Sequence, residues 1–486
     1  MTRDIHTLMD SQDGVGLAEK VRQKDVSPTE LVTAVIDRLE AVNPQLNALA
    51  EPLYEQAQKA AREDVDMRQP FCGVPTFVKD LFSPLNGARM ASGSFALGEA
   101  RAEIDAEAVA RLRRAGCLFV GTSTSPEFGT SYTTESSRFG ATRNPWNPER
   151  SVGGSSGGAA ALVAARVVPF AHGNDGGGSL RVPASCCGIF GLKPTRGRMP
   201  SGPMVGEGWG GMGTPHAMTL SVRDSAALLD ATSGADLEAP YAAPEQRDSF
   251  LNAVERSPGT LRIAVVESMA PWESGAEARE AVKITASLCE SLGHRVESVS
   301  LPVNLPEFIH NTFSIIAPNT QNFINTLGEM RGSPVKDSEL EPRTRVMLRE
   351  KGHLDATTYI AAIEYMHALG RTVAGFMRDY DLILTPTLTR KPPIIGELDA
   401  FDDTLSLEDI IHQFHSYSPY TAIFNATGQP AMSVPLYWTQ DSLPIGSHFA
   451  ARFGDESTLL SLAAQLEQAR PWANKRPPVN AMTSSH

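Results

Sequence analysis

Apolar positions along the chain follow two periods. After Ser27-Pro28-Thr29-Glu30, a capping box with proline at the first helical position, Leu31, Val35, Ile36 and Leu39 recur at helical spacing. They predict a helix to about Val42 that stops before Pro44. Further helices are predicted over residues 53–62, 105–115, 159–166, 276–292 and 459–466. Short apolar runs predict strands at 74–79, 117–121, 167–171, 261–266, 295–301, 382–384 and 431–434. Strands alternating with helices imply a layered α/β fold. There is no long linker, low-complexity segment or repeat. Residues 238–245 are the one mild break in composition, read as a loop between two halves of one domain.

Length pulls the other way, since 486 residues suggest about three domains of roughly 150 residues. The hydrophobic and charged fractions are those of a soluble globular protein. A formal charge of -13 leaves no basic face for phosphates, which excludes nonspecific nucleic-acid binding. Residues 1–10 are polar and lack a signal-peptide core. The most apolar run, 159–171, is broken by Arg166 and Pro169 and is too short to span a bilayer. Cys72, Cys117, Cys186, Cys187 and Cys289 have no CxxC spacing and an odd count, which fits a reducing compartment. Together these features read as a cytoplasmic protein with no membrane and no nucleic-acid partner.

Three segments carry candidate chemistry: Gly153-Gly154-Ser155-Ser156-Gly157-Gly158, Asp175-Gly176-Gly177-Gly178-Ser179-Leu180-Arg181, and Phe77-Val78-Lys79-Asp80 at a strand end. Taken singly, Gly/Ser loops are ordinary turns. They lack the Gly-Lys-Ser/Thr ending of a phosphate loop and the GxGxxG with a following acid of a dinucleotide site. Residues 153–157 match GxSxG formally, with His448 available as a base. The polar, proline-broken residues 144–150 before them do not make the buried strand that such an elbow requires. His412 and His415 are one helical turn apart without an HExxH carboxylate, so no metal is implied.

In combination and order, the three segments resemble the amidase signature family. That family's mark is GGSSGG, followed about two dozen residues later by GGS-[IVL]-R-x-P and then G-L-K-P-T. Here Ser179 follows Ser155 by 24 residues, within Gly177-Gly178-Ser179-Leu180-Arg181-Val182-Pro183, and Gly191-Leu192-Lys193-Pro194-Thr195 comes next. The stretches 73–80, 121–129, 425–431 and 443–446 continue the likeness across nearly the whole chain. Within the family, residues 143–147, 171–175 and 193–198 look like the 6-aminohexanoate cyclic-dimer hydrolase group.

The resemblance implies one α/β/α layered domain around a large mixed β-sheet, overriding the length prior. Residues 66–475 would be the catalytic domain, 1–65 a helical segment packed on it, and 476–486 a tail. It implies an amide hydrolase acting through an acyl-enzyme, with Ser179 as nucleophile, Ser155 as a relay held by a cis peptide after Gly154, and Lys79 as the final base. The N–H groups of Gly176, Gly177, Gly178 and Ser179 would form the oxyanion hole. Ser156 would support the relay, Asp175 and Arg181 would form a structural ion pair, and Gly129 and Thr130 would line the acyl pocket. No cofactor is implied. The expected partner is a small-molecule amide, carbamate or anilide, and a homodimer is compatible with the sequence.

Most of the family has threonine where this chain has Gly176. The runner-up, the A subunit of a glutamyl-tRNA amidotransferase, usually carries glutamine and tyrosine where Val182 and Arg196 stand here. The stretch 203–218, which includes Trp209, reads equally as an entrance border or a plain surface loop.

Overall fold

The structure, a computed structural model, describes residues 5–63, 65–398 and 401–482. The ends of the expected N-terminal segment and tail, residues 1–4 and 483–486, lie outside the described residues. Strands β1 (Leu49–Pro52), β2 (Pro75–Lys79) and β3 (Leu118–Ser123) form a sheet in the order β1-β3-β2. Eight more strands form the main sheet. They are β4 (Phe170–Asp175), β5 (Phe190–Lys193), β6 (Thr214–Thr219), β7 (Arg262–Val265), β8 (Arg295–Ser298), β9 (Leu382–Pro386), β10 (Ala431–Trp438) and β11 (Pro444–Ala451). Their order is β8-β7-β9-β11-β10-β5-β6-β4. β7 runs parallel to β8 and β9, and the other neighbours are antiparallel, so the sheet is mixed.

Side-chain alternation along these strands feeds two separate apolar layers. Ile263, Leu382, Leu384, Met432, Val434 and Phe449 enter one layer with Leu459, Leu460 and Leu466 of the helix Glu456–Ala469. The intervening Ala264, Ile383, Ala431 and Ala450 enter the other, which also takes up Leu31, Val35 and Leu39 of the helix Pro28–Leu46. A sheet apolar on both faces must be covered on both, which gives the layered α/β/α arrangement.

On the second face small residues let a helix approach closely. A Cβ on Gly191 would fall 2.7 Å from Ala184 Cβ, and Gly446 N–H donates to Ser185 Oγ at 2.8 Å. The helix Arg181–Cys187 is thereby pressed onto β5 and β11, and the turn before it carries Ser179. At the sheet's end, β2 lies along β4, with Thr76 Oγ1 donating to Phe170 O at 2.9 Å. That contact brings the end of β2 to the same place.

Several elements differ from the sequence expectation, among them β5, β6 and β11, which it did not predict. The first helix continues through Pro44 to Leu46, because burial of Val42 and Leu46 carries the last turn past a proline that removes only one bond. It ends at Asn47, in the left-handed region with φ 52°. The strand expected at 167–171 begins at Phe170 and continues through polar His172–Asp175, since its ladder with β6, and not apolarity, sets its length. The two longest helices, Leu305–Met330 and Ala356–Phe376, went unpredicted although Asn304 and Asp355 cap them.

The buried pair Arg198–Glu456 ties the end of β5 to the terminal helix. Glu456 accepts from Arg198 Nη2 at 2.8 Å and from Thr195 N–H at 2.8 Å. Glu456→Ala strands a buried guanidinium and should cost about 3–5 kcal/mol. Urea unfolding should show a lower midpoint for Glu456→Ala, with Glu456→Gln, which keeps the shape, falling between it and the wild type.

Candidate active site

β2 delivers Lys79 into the interior with no solvent exposure. Its Nζ lies 2.8 Å from Ser155 Oγ and donates to Asn174 Oδ1 at 2.7 Å. Burial holds the amine's pKa well below the ordinary lysine value, while the charges of Asp175 and Asp80 push it the other way. Asp80 is itself weakened as an opposing charge. Burial pushes its carboxyl up to about 7, against backbone N–H groups of Ala91, Ser92 and Gly93 that favour the carboxylate. A neutral amine that donates to Asn174 keeps a lone pair with which to take a proton from Ser155.

Ser155 follows a cis peptide bond at Gly154. The glycines around it are there for closeness. Side chains at Gly154, Gly157 and Gly158 would run into Thr133, Thr134 and Thr124 respectively. Thr134 Oγ1 donates to Gly153 O at 2.8 Å and accepts from Gly157 N–H at 3.1 Å, which pins both ends of the turn. The helix Gly157–Ala164 then starts directly after Ser156. Ser156 Oγ donates to Asn174 O at 3.1 Å, and Ser156 N–H donates to Ser179 O at 3.3 Å. Ser156 therefore binds the backbone of the neighbouring segments, not Ser155 or Lys79.

The loop 175–181 is wound around one carboxylate. Asp175 accepts from Gly178 N–H at 2.7 Å, from Leu180 N–H at 3.1 Å, and from Arg181 Nε and Nη2, both at 2.9 Å. Asn425 Nδ2 adds a bond at 2.8 Å. Burial alone would raise this carboxyl. The Arg181 charge and these donors overcome it and hold Asp175 well below the usual carboxylate range. Gly178, at φ 138°, takes a conformation open to glycine, and its N–H is occupied by Asp175. The N–H groups of Gly176, Gly177 and Ser179 make no backbone hydrogen bond outside helices and strands among the described residues. Gly177 O is fixed from behind by Thr421 Oγ1 at 2.7 Å and Tyr132 OH at 3.2 Å. Ser179 is 5% exposed, and its hydroxyl makes no hydrogen bond to Ser155 among the described residues.

Gly129 lies against the same spot: a Cβ there would be 3.3 Å from Ser155 Oγ and 2.6 Å from Leu81 Cδ2. The hydroxyl of Thr130 donates to Glu127 O at 3.1 Å. His448, the base an elbow would need, bonds to Arg181 and Thr385 and not to Ser155. His412 accepts from Trp272 Nε1, and among the described residues no group of three or more metal-ligating side chains is assembled.

Sequence reasoning missed Asn174, Tyr132, Thr421 and Asn425 as parts of this site. Strand period two carried the signal for Asn174, since it puts that side chain on the opposite face from Asp175, toward β2. The others come from distant segments, and only the fold brings them in.

The chain matches the family model "Amidase" over residues 30–460. It is 38% identical over 479 residues to a 6-aminohexanoate-cyclic-dimer hydrolase of Paenarthrobacter ureafaciens, covering 96% of each chain. Among solved structures, a 6-aminohexanoate cyclic dimer hydrolase complexed with substrate superposes with TM-score 0.91 at 35% identity, over 96% of this chain and 99% of the other. A bacterial aryl acylamidase gives TM-score 0.87 at 26% identity, over 96% and 99%.

Replacing the acceptor beside Lys79 tests the arrangement directly. Asn174→Asp sets a carboxylate against Nζ, favours the ammonium, and should move the Lys79 titration to higher pH, seen by NMR of isotopically labelled lysine. Asn174→Leu removes the acceptor and should leave that titration low. A titration unmoved by Asn174→Asp would rule out the contact.

Proposed function

The chain belongs to the Amidase family, and from that premise we propose that it hydrolyses small, mostly apolar amides through a Ser179–cis-Ser155–Lys79 relay and an acyl-enzyme. The observation carrying this reading is the buried amine of Lys79, 2.8 Å from the hydroxyl that follows the cis peptide. Neutral Lys79 takes the proton of Ser155, Ser155 takes that of Ser179, and Ser179 Oγ attacks the carbonyl. The oxyanion is held by N–H groups of Gly176, Gly177 and Ser179, one fewer than the sequence suggested, since Gly178 is bonded to Asp175. Collapse breaks the C–N bond, and the amine leaves with the proton returned from Lys79 through Ser155. Water then attacks the acyl-enzyme, its proton passing through Ser155 to Lys79, and the C–O bond to Ser179 breaks as that proton returns through Ser155 to Ser179 Oγ, which frees the acid and restores neutral Lys79. No cofactor takes part in these steps.

For the substrate we favour 6-aminohexanoate-type cyclic or linear oligomers, with anilides and carbamates as alternatives. Support comes from the substrates named for the similar hydrolases and from the apolar and aromatic lining, which includes Leu81, Tyr132 and Trp209 beside the glycine loops. The amidotransferase A subunit remains the second reading. Against it, Arg196 stands in place of the usual tyrosine and is committed to the carbonyls of Gly211, Asn425 and Ala426. We read residues 66–475 as one catalytic domain with 1–65 packed on it, supported by Leu31 and Leu39 joining the same apolar layer as Ala160 and Leu162. Among the described residues no helix is long and apolar enough to cross a membrane. A cytoplasmic setting is part of the proposal.

Ser179→Ala should abolish hydrolysis of amides and esters alike, and a sulfonyl fluoride should label Ser179 in the wild type. Lys79→Ala should lose amide turnover far more than ester turnover, because an amine leaving group needs the returned proton. Lysine is inactive as the ammonium, so kcat/KM should rise with pH through an ionisation below the ordinary lysine value and then level off. Lys79→Ala with near wild-type amidase activity and an unchanged profile would overturn the mechanism. Rapid glutamine turnover would promote the second reading.

A further inference from the structure

Gly176, the family's usual threonine position, is not an open gap. A Cβ there would lie 2.7 and 2.9 Å from Cε3 and Cζ3 of Trp209, so the benzo edge of the indole rests on the Cα of the oxyanion loop. Trp209 is half-buried and sits in the left-handed region at φ 49°, at the inner tip of a turn in which Gly211 and Gly213 N–H both donate to Gly208 O.

That turn is anchored on two sides. Arg196 Nε donates to Gly211 O at 2.8 Å, and Asn425 Nδ2 donates to Met212 O at 3.0 Å while also binding Asp175. On the other side Gly210 is packed so closely on the helices Leu305–Met330 and Ala356–Phe376 that a Cβ would meet Ile363 Cδ1 at 2.9 Å and Ile315 Cγ2 at 3.1 Å. The indole is a fixed wall, even though residues 204 and 205 of the same loop are among the most exposed apolar side chains described. Gly176, where the family usually has threonine, and Arg196 are thus parts of one device. Arg196 holds the loop, and the missing side chain at Gly176 makes room for the ring it carries.

Resting on the amidase reading, we propose that Trp209 is a specificity-determining residue selecting acyl groups with an unbranched α-carbon, such as polymethylene chains. The carbonyl oxygen of a bound amide points at the Gly176 and Gly177 N–H groups, so the indole on Gly176 borders the carbon next to that carbonyl. A methylene lies flat along the ring, and a branch there meets it. Discrimination of one methyl-sized group by a pocket wall is worth roughly 10–200-fold.

The test compares hexanoyl and 2-methylhexanoyl anilides on wild type, Trp209→Ala, Trp209→Phe, Gly176→Thr and the double variant Trp209→Ala/Gly176→Thr. Active sites are counted in each by fluorophosphonate labelling at Ser179. Trp209→Ala should lower the ratio of kcat/KM for the linear over the branched substrate by roughly ten-fold or more, with Trp209→Phe in between. Gly176→Thr should lose activity while Trp209 is present and regain it in the double variant, since the threonine then occupies the vacated place. An equal effect of Trp209→Ala on both substrates, or a Gly176→Thr loss that Trp209→Ala does not relieve, would overturn the proposal with labelling intact. A wild type that does not label at Ser179 would overturn the amidase reading beneath it.

Discussion

Asp175 is the group on which the rest of the site depends. A carboxylate with no exposure is costly to bury unless its charge and its lone pairs are met, and here the meeting of them is what shapes the loop. Its bonds to Gly178, Leu180 and Arg181 fold the segment back on itself, and Asn425 links it to the chain's last third. Asp175 also pushes Lys79 toward its charged form, and burial of the amine outweighs that push, so the carboxylate and the depressed lysine belong to one electrostatic balance.

Arg181 also acts on the groups behind it. Burial, with Arg181 second, pushes Lys193 down to about 7 and holds His448 far below the usual imidazole range. The interior behind Ser179 thus carries one full ion pair surrounded by groups whose charged forms are suppressed. Such an interior would suit donors that, on the proposed mechanism, must be aimed before the reaction starts.

Much of this was legible in the sequence because it is local. The pairing of Asp175 with Arg181 and the alternation of strands and helices are readable within short windows, while Lys79, Ser155 and Ser179 stood out through the resemblance of their three segments to the family. What was not legible depends on contacts between distant segments. Gly178 looked like one more oxyanion donor, and nothing within residues 175–181 says that the carboxylate three residues earlier would take its N–H. Gly176 looked like a looser loop because the ring that fills its place comes from residue 209, more than thirty positions later. The missed long helices had readable caps at Asn304 and Asp355, but their mixed faces, with a proline at 318 inside the first, blurred the periodicity.

The packing of Gly210 against Ile315 and Ile363 bears on how such a protein can diversify. Lys79, Ser155 and Ser179 come from the first two-fifths of the chain, whereas the helices that back the Trp209 loop come from residues 305–376. On the proposed mechanism and selectivity, the chemistry and the wall beside the acyl group are therefore encoded in separate stretches that meet through one short loop. Substitutions along those helices would then tilt or shift the indole by small steps while leaving the proposed proton path in place. A lineage built this way would explore new amides gradually, keeping its hydrolytic residues at every step.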